Sequence, residues 1–94
     1  MDVLYKQNAL NSLYEIANFI ESKNTKGSGY RFIEKVFKFV ADYSIPNVQY
    51  QLCKYSKFSE KSFSCIFFYD WVIAFKIENE TFIVYEIALG TLFK

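Results

Sequence analysis

The sequence predicts an α+β domain in which two amphipathic helices pack on one face of a short antiparallel sheet of about four strands. Three observations predict it. Apolar residues recur at helical spacing between residues 8 and 43, and they alternate at strand spacing from residue 63 onward. Glycine, proline and polar turns divide the two regimes. At 94 residues the chain forms one domain, 1–94, near the low end of the size that folds around a single core.

Val3-Leu4-Tyr5 is short and reads as an opening strand. From Asn8 the pattern becomes helical: Leu10, Leu13, Ile16 or Ala17, and Ile20 form a stripe, while Asn11, Glu15, Asn18 and Glu21 take the wet side. Asn8 suits the N-cap, where its side chain would accept a bond from an unpaired amide. The helix should fade at Ser22-Lys23-Asn24. Gly27-Ser28-Gly29 breaks the chain, and Ser28 suits the cap of a second helix with Phe32, Ile33, Val36, Phe37, Val40 and Tyr43 inward. The same glycines serve either as a plain connection or as a phosphate cradle at a helix N-terminus. Pro46 marks the exit, because proline disfavours helical geometry in the residue before it.

Phe63 to Phe68, Trp71 to Ile77 and Thr81 to Ala88 are rich in aromatic and β-branched residues and read as strands. Joining odd to odd across the last hairpin requires a loop of odd length, which Glu78-Asn79-Glu80 supplies. The same reasoning across Tyr69-Asp70-Trp71 puts Phe63, Cys65 and Phe67 with Trp71, Ile73, Phe75, Ile77, Ile83, Tyr85, Ile87 and Leu89 beneath the helices. The even face is mixed, and its members Ser64, Ile66, Phe68, Val72, Lys76, Phe82, Val84 and Glu86 are the candidate partner-binding surface. An ordinary solvated face carrying a Lys76–Glu86 pair is the plainer alternative.

Composition narrows the function. Eleven Phe, eight Tyr and one Trp in so small a chain suit either a bulky core or an aromatic partner surface. Net charge is +1, which disfavours extensive phosphate binding unless the basic residues cluster. The chain has no His, so the commonest acid–base group and metal ligand is absent. Cys53 and Cys65 lack a CxxC spacing and read as reduced residues, a single disulfide being the lesser alternative. The start Met1-Asp2-Val3-Leu4-Tyr5 lacks the pattern of a signal peptide, and Ser64 to Phe75 is roughly half a membrane span and holds Asp70. A cytoplasmic protein with no membrane partner is expected.

Between helices and strands, residues 49–61 interleave Lys54, Lys57 and Lys61 with Tyr50, Tyr55 and Phe58, with a further strand expected around Gln51 to Tyr55. Such a pattern suits a solvated loop, and also single-stranded nucleic acid or an acidic peptide. P-loop, GxGxxG, GxSxG and metal-cluster motifs are absent, so no cofactor and no metal are expected.

The order strand, two helices, three strands resembles the RelE/ParE toxin superfamily of type II toxin–antitoxin systems. The likeness is carried by Ala9, Leu13, Ile16 and Phe19-Ile20 in the first helix, and by Phe32-Ile33-Glu34-Lys35-Val36 running on to Ile45-Pro46. It continues through Trp71-Val72-Ile73-Ala74-Phe75-Lys76-Ile77 and Phe82-Ile83-Val84-Tyr85-Glu86-Ile87. It spans nearly the whole chain on generic apolar positions. The resemblance implies a cytoplasmic bacterial toxin linked to plasmid stabilization and bound by a cognate antitoxin. ParE-type members act on DNA gyrase by binding, whereas RelE-type members cut messenger RNA on the ribosome with basic and tyrosyl groups.

This chain lacks the strand arginines of the RelE pattern, and Gly90-Thr91-Leu92-Phe93-Lys94 lacks the terminal His or Arg. Lys57, Lys61 and Lys76 are the candidate catalytic residues, and Tyr85 is expected in the core. The ParE-like reading therefore fits better. A RelE-like endoribonuclease is the alternative, as is a non-catalytic adaptor that homodimerises.

Overall fold

The computed structural model describes residues 1–46 and 48–90. Its elements are β1 (Asp2–Tyr5), α1 (Gln7–Lys23), α2 (Ser28–Tyr43), a one-turn helix α3 (Ser56–Ser59), β2 (Ser64–Phe68), β3 (Trp71–Glu78) and β4 (Thr81–Leu89). The strands form one sheet in the order β1-β4-β3-β2. The α+β class is as expected, but the sheet is mixed rather than antiparallel, because β1 runs parallel to β4.

β1 passes into α1 without a linker. Lys6, in extended geometry, occupies the N-cap, donates its N–H to Val84 and accepts from Leu10. Asn8 therefore lies inside the helix and does not cap it. Ala9, Leu13, Val36 and Val40 from the two helices pack on Ile66, Ile73, Phe75, Phe82, Val84 and Ile87 of the sheet. Phe37 and Tyr43, expected in the stripe, are 38% and 41% exposed.

The helical hairpin is tied by a carboxylate. Glu21 of α1 accepts the Gly27 and Gly29 N–H groups at 2.7 Å each, capping α2 where Ser28 was expected to. Gly27, at φ 87°, adopts the left-handed geometry that the turn needs. The Gly27-Ser28-Gly29 cradle is real, but its anion belongs to the chain itself. The Gly29 and Gly27 N–H bonds, helped by Arg31, hold the Glu21 carboxyl below its ordinary value of 4.5. Its folded-state pKa is thus depressed. Its contribution to stability is complete above pH 4.5 and is lost as pH falls through the lowered value. Acid titration of the denaturation midpoint should therefore be steeper below that point in the native chain than in Glu21→Gln, which should also be less stable at neutral pH.

The turns change the expected register. Phe68 pairs with Trp71, so Tyr69-Asp70 is a two-residue turn and Ser64, Ile66 and Phe68 share the helix face with Trp71, Ile73 and Phe75. Glu78 pairs with Thr81 around Asn79-Glu80, both at positive φ (50° and 60°), as a type I′ turn requires. Phe75 then faces Val84, and Ile77 faces Phe82. A bulge beyond Phe75 inserts Tyr85 and restores odd-to-odd pairing at Ile73–Ile87 and Trp71–Leu89. Phe82 and Val84 consequently point at the helices, while Ile83 and Tyr85 point away with Lys76 and Glu86.

The face away from the helices is not open. Residues 50–63 cross it as a strap, placing Cys53, Phe58 and Phe63 on Val72 and Ala74 in a second, smaller core. The strand expected at 51–55 is reduced to one bridge, Leu52 to Ser64. Cys53 and Cys65 form a disulfide across the strap, against the expectation of free thiols.

Tyr5 carries the one buried side-chain polar atom without a protein partner among the described residues, its hydroxyl. Leaving a hydroxyl unpaired costs about 1–3 kcal/mol. Tyr5→Phe should raise stability by about 1 kcal/mol in urea unfolding.

Candidate functional site: the lysine and aromatic face of the sheet

The strap face collects Lys6, Lys54, Lys57, Lys61 and Lys76, half of the chain's ten lysines. Lys57 lies in α3 and Lys61 in the turn just after it, and both reach Glu86 of β4 at 3.7 Å. The Glu86 side chain is only 20% exposed, whereas the lysines are more than half exposed. Pairs of this kind contribute no more than about 1 kcal/mol each. Their consequence is positional: one carboxylate occupies the space between two ammonium groups.

Tyr85 stands beside them because the bulge turns it outward. Its ring stacks on Phe63 at 4.8 Å, with the Lys6 and Lys76 ammonium groups 5.5 and 5.8 Å from its centroid. Lys76 also lies 5.2 Å from the Phe63 ring. The Tyr85 hydroxyl donates to Glu78 at 3.4 Å. Burial first, and Glu78 second, push its pKa above 10.0. At neutral pH it is therefore a hydrogen-bond donor and not a base. Farther along the strap, Lys54 lies over Tyr55 and Phe67 at 5.3 and 5.4 Å. Such contacts contribute about 0.5–1 kcal/mol at exposed sites.

No family model, curated protein or solved structure matches this chain.

The three candidate catalytic residues, Lys57, Lys61 and Lys76, do share this face. Of the candidate partner-binding residues, Lys76 and Glu86 join them. The other six do not. Ile66, Phe68, Phe82 and Val84 belong to the helix-side core, and Ser64 shares that face at half burial. Val72 is fully buried beneath the strap. The expected Lys76–Glu86 pair is replaced by Lys57–Glu86 and Lys61–Glu86. Tyr85, expected in the core, belongs to the face, as do Lys6, Phe63 and Phe67. The bulge that exposes Tyr85 has no signature in the alternation of strand residues.

The assembled groups can hold negative charge against a partly apolar floor. They offer cations, a phenol that donates, and a carboxylate already engaged by two lysines. Among the described residues no three His, Cys, Asp or Glu side chains gather as a metal site, and no helix is long and apolar enough to cross a membrane. A groove of about 550 Å³ opens beside the C-terminal end of β3, lined by Met1, Asp2, Pro46, Val48, Ile77, Asn79 and Glu80. Its carboxylates belong to a strand start and a turn, and it contains none of the lysines.

Proposed function

We propose that this chain is the toxin of a type II toxin–antitoxin pair, ParE-like, which binds a protein target of the DNA gyrase kind. A small acidic antitoxin neutralises it by covering the lysine and aromatic face. The observation that carries the binding reading is the seat of Glu86 between Lys57 and Lys61. A phosphate entering there would meet a resident carboxylate, whereas a charged protein surface can pair with the outward lysines around it. The element order, a strand, two long helices, the one-turn α3 and three strands, is the support for the superfamily reading. Expression alone should arrest bacterial growth, and co-expression of an acidic protein encoded beside it should restore growth. Normal growth under strong expression would refute the reading.

A RelE-like, ribosome-dependent endoribonuclease is the second reading, favoured by one observation: Tyr85 shares a face with Lys57, Lys61 and Lys76. There the lysines would offset charge developing on a phosphate while the tyrosine donates to it. Purified protein should then cut messenger RNA on ribosomes, and the Lys57→Ala, Lys61→Ala, Lys76→Ala triple variant should not. A native chain that cuts nothing removes this reading.

A further inference from the structure

We propose that the Cys53–Cys65 disulfide is a redox clamp: a dithiol reductant opens it and frees the strap from the sheet. The strap's packing rests on Cys53, Phe58 and Phe63 against Val72 and Ala74, with Tyr55 edge-on to the Phe67 ring, and this core shares no buried residue with the helix-side core. Its backbone ties near the bridge are the Cys53 N–H to the Phe63 carbonyl and the Leu52–Ser64 pairing. The ion pairs of Lys57 and Lys61 to Glu86 are long and solvent-exposed on the lysine side. The disulfide, joining positions 12 apart, is the covalent member of this set. At the strap's start, Tyr50 is fixed independently by edge-on contact of its ring with Phe75 at 5.1 Å. Release would therefore concern residues 51–62 and leave both the helices and the sheet in place.

Cys65 is half-buried and Cys53 is 6% exposed, so Cys65 offers the more accessible sulfur. One thiolate of the dithiol attacks the Cys65 Sγ, the Sγ–Sγ bond breaks, and Cys53 leaves as a thiolate that takes a proton. The second thiol of the reductant then displaces Cys65. Two electrons have passed to the protein, which holds two thiols, and the reductant leaves as a cyclic disulfide. Opening moves Lys54, Lys57 and Lys61 off the face and bares Val72 and Ala74. The inference rests on the strap's geometry and not on the toxin reading, so either can fail alone.

Limited trypsin digestion followed by peptide mass analysis tests it on the full chain. Strap lysines 54, 57 and 61 should be cut at least about tenfold faster after dithiothreitol treatment, with cleavage at Lys35 and Lys38 of α2 unchanged. A Cys53→Ser, Cys65→Ser variant should behave as the reduced chain does and ignore the reductant. Equal strap cleavage in both redox states would overturn the proposal. So would acceleration at strap and helix lysines together, which would mean global unfolding. Two alkylatable thiols in air-oxidised protein would also overturn it.

Discussion

Gly29→Ala should destabilise the domain by about 3 kcal/mol, the upper part of the range for overpacked sites. On an isolated helix the same change would help, since alanine exceeds glycine in helix propensity by up to about 1 kcal/mol. Here the added carbon would stand 2.5 Å from the Ala17 carbonyl oxygen and 3.1 Å from its carbon, both backbone atoms. Backbone in the middle of α1 cannot step aside as a flexible side chain would, so the helices must part. Parting also breaks the two bonds from Gly27 and Gly29 to Glu21. Urea unfolding should show a lower midpoint with an unchanged slope. A neutral or stabilising result would mean that α1 and α2 do not approach at this point.

Phe58→Ala should cost about 3–5 kcal/mol, the usual range for removing a buried phenyl ring. Phe58 is fully buried although it sits on a single helical turn of four residues, which has little stability of its own. The turn is thus ordered by what it covers, within a strap that the Cys53–Cys65 bridge also ties down. Phe67→Ala, on the same face but 45% exposed, should cost well under half as much. Equal losses at the two positions would show that the strap is not a packed layer.

The contrast between these two aromatic residues indicates what the sequence could reveal. Helical spacing located α1 and α2 within a residue or two, because a stripe such as Leu13, Val36 and Val40 is a direct imprint of a single buried face. Strand alternation likewise located β3 and β4 and sent Trp71, Ile73, Phe75 and Ile87 toward the helices, with Lys76 and Glu86 opposite. It failed for Phe63, for Cys65 through Phe68 of β2, and for Phe82, Ile83, Val84 and Tyr85 of β4, because face assignment beyond a turn depends on the turn's length and on any bulge. Two-residue turns at Tyr69-Asp70 and Asn79-Glu80 each shift parity by one, and the Tyr85 bulge shifts it back. Neither turn contains glycine, so the residue type that most often announces such turns was missing.

The strap was hidden for another reason. Lys54, Lys57 and Lys61 suggest a solvated loop, and Phe58 between them resembles an exposed ring until the apolar strip of Val72 and Ala74 beneath it is known. The cysteine pair fell into the same gap. Reduced thiols follow from spacing alone, whereas pairing follows from Cys53 and Cys65 lying on facing backbones with Cα atoms 5.0 Å apart. The lysine candidates were legible individually, but their gathering around Glu86 and Tyr85 depends on the strap and the bulge together.

The most direct test of the proposed toxin reading asks whether charge on the strap face governs binding of an acidic antitoxin. Native protein should be expressed with and without an acidic protein encoded beside the gene, with growth as the readout, and the native chain and a Lys57→Glu, Lys61→Glu, Lys76→Glu variant should each be tested for co-purification with that protein. Expected are arrest by the native chain alone, rescue by the acidic protein, and loss of co-purification when the three charges are reversed. Co-purification of the reversed variant at native strength would contradict the assignment of this face, and growth unaffected by the native chain would contradict the toxin reading.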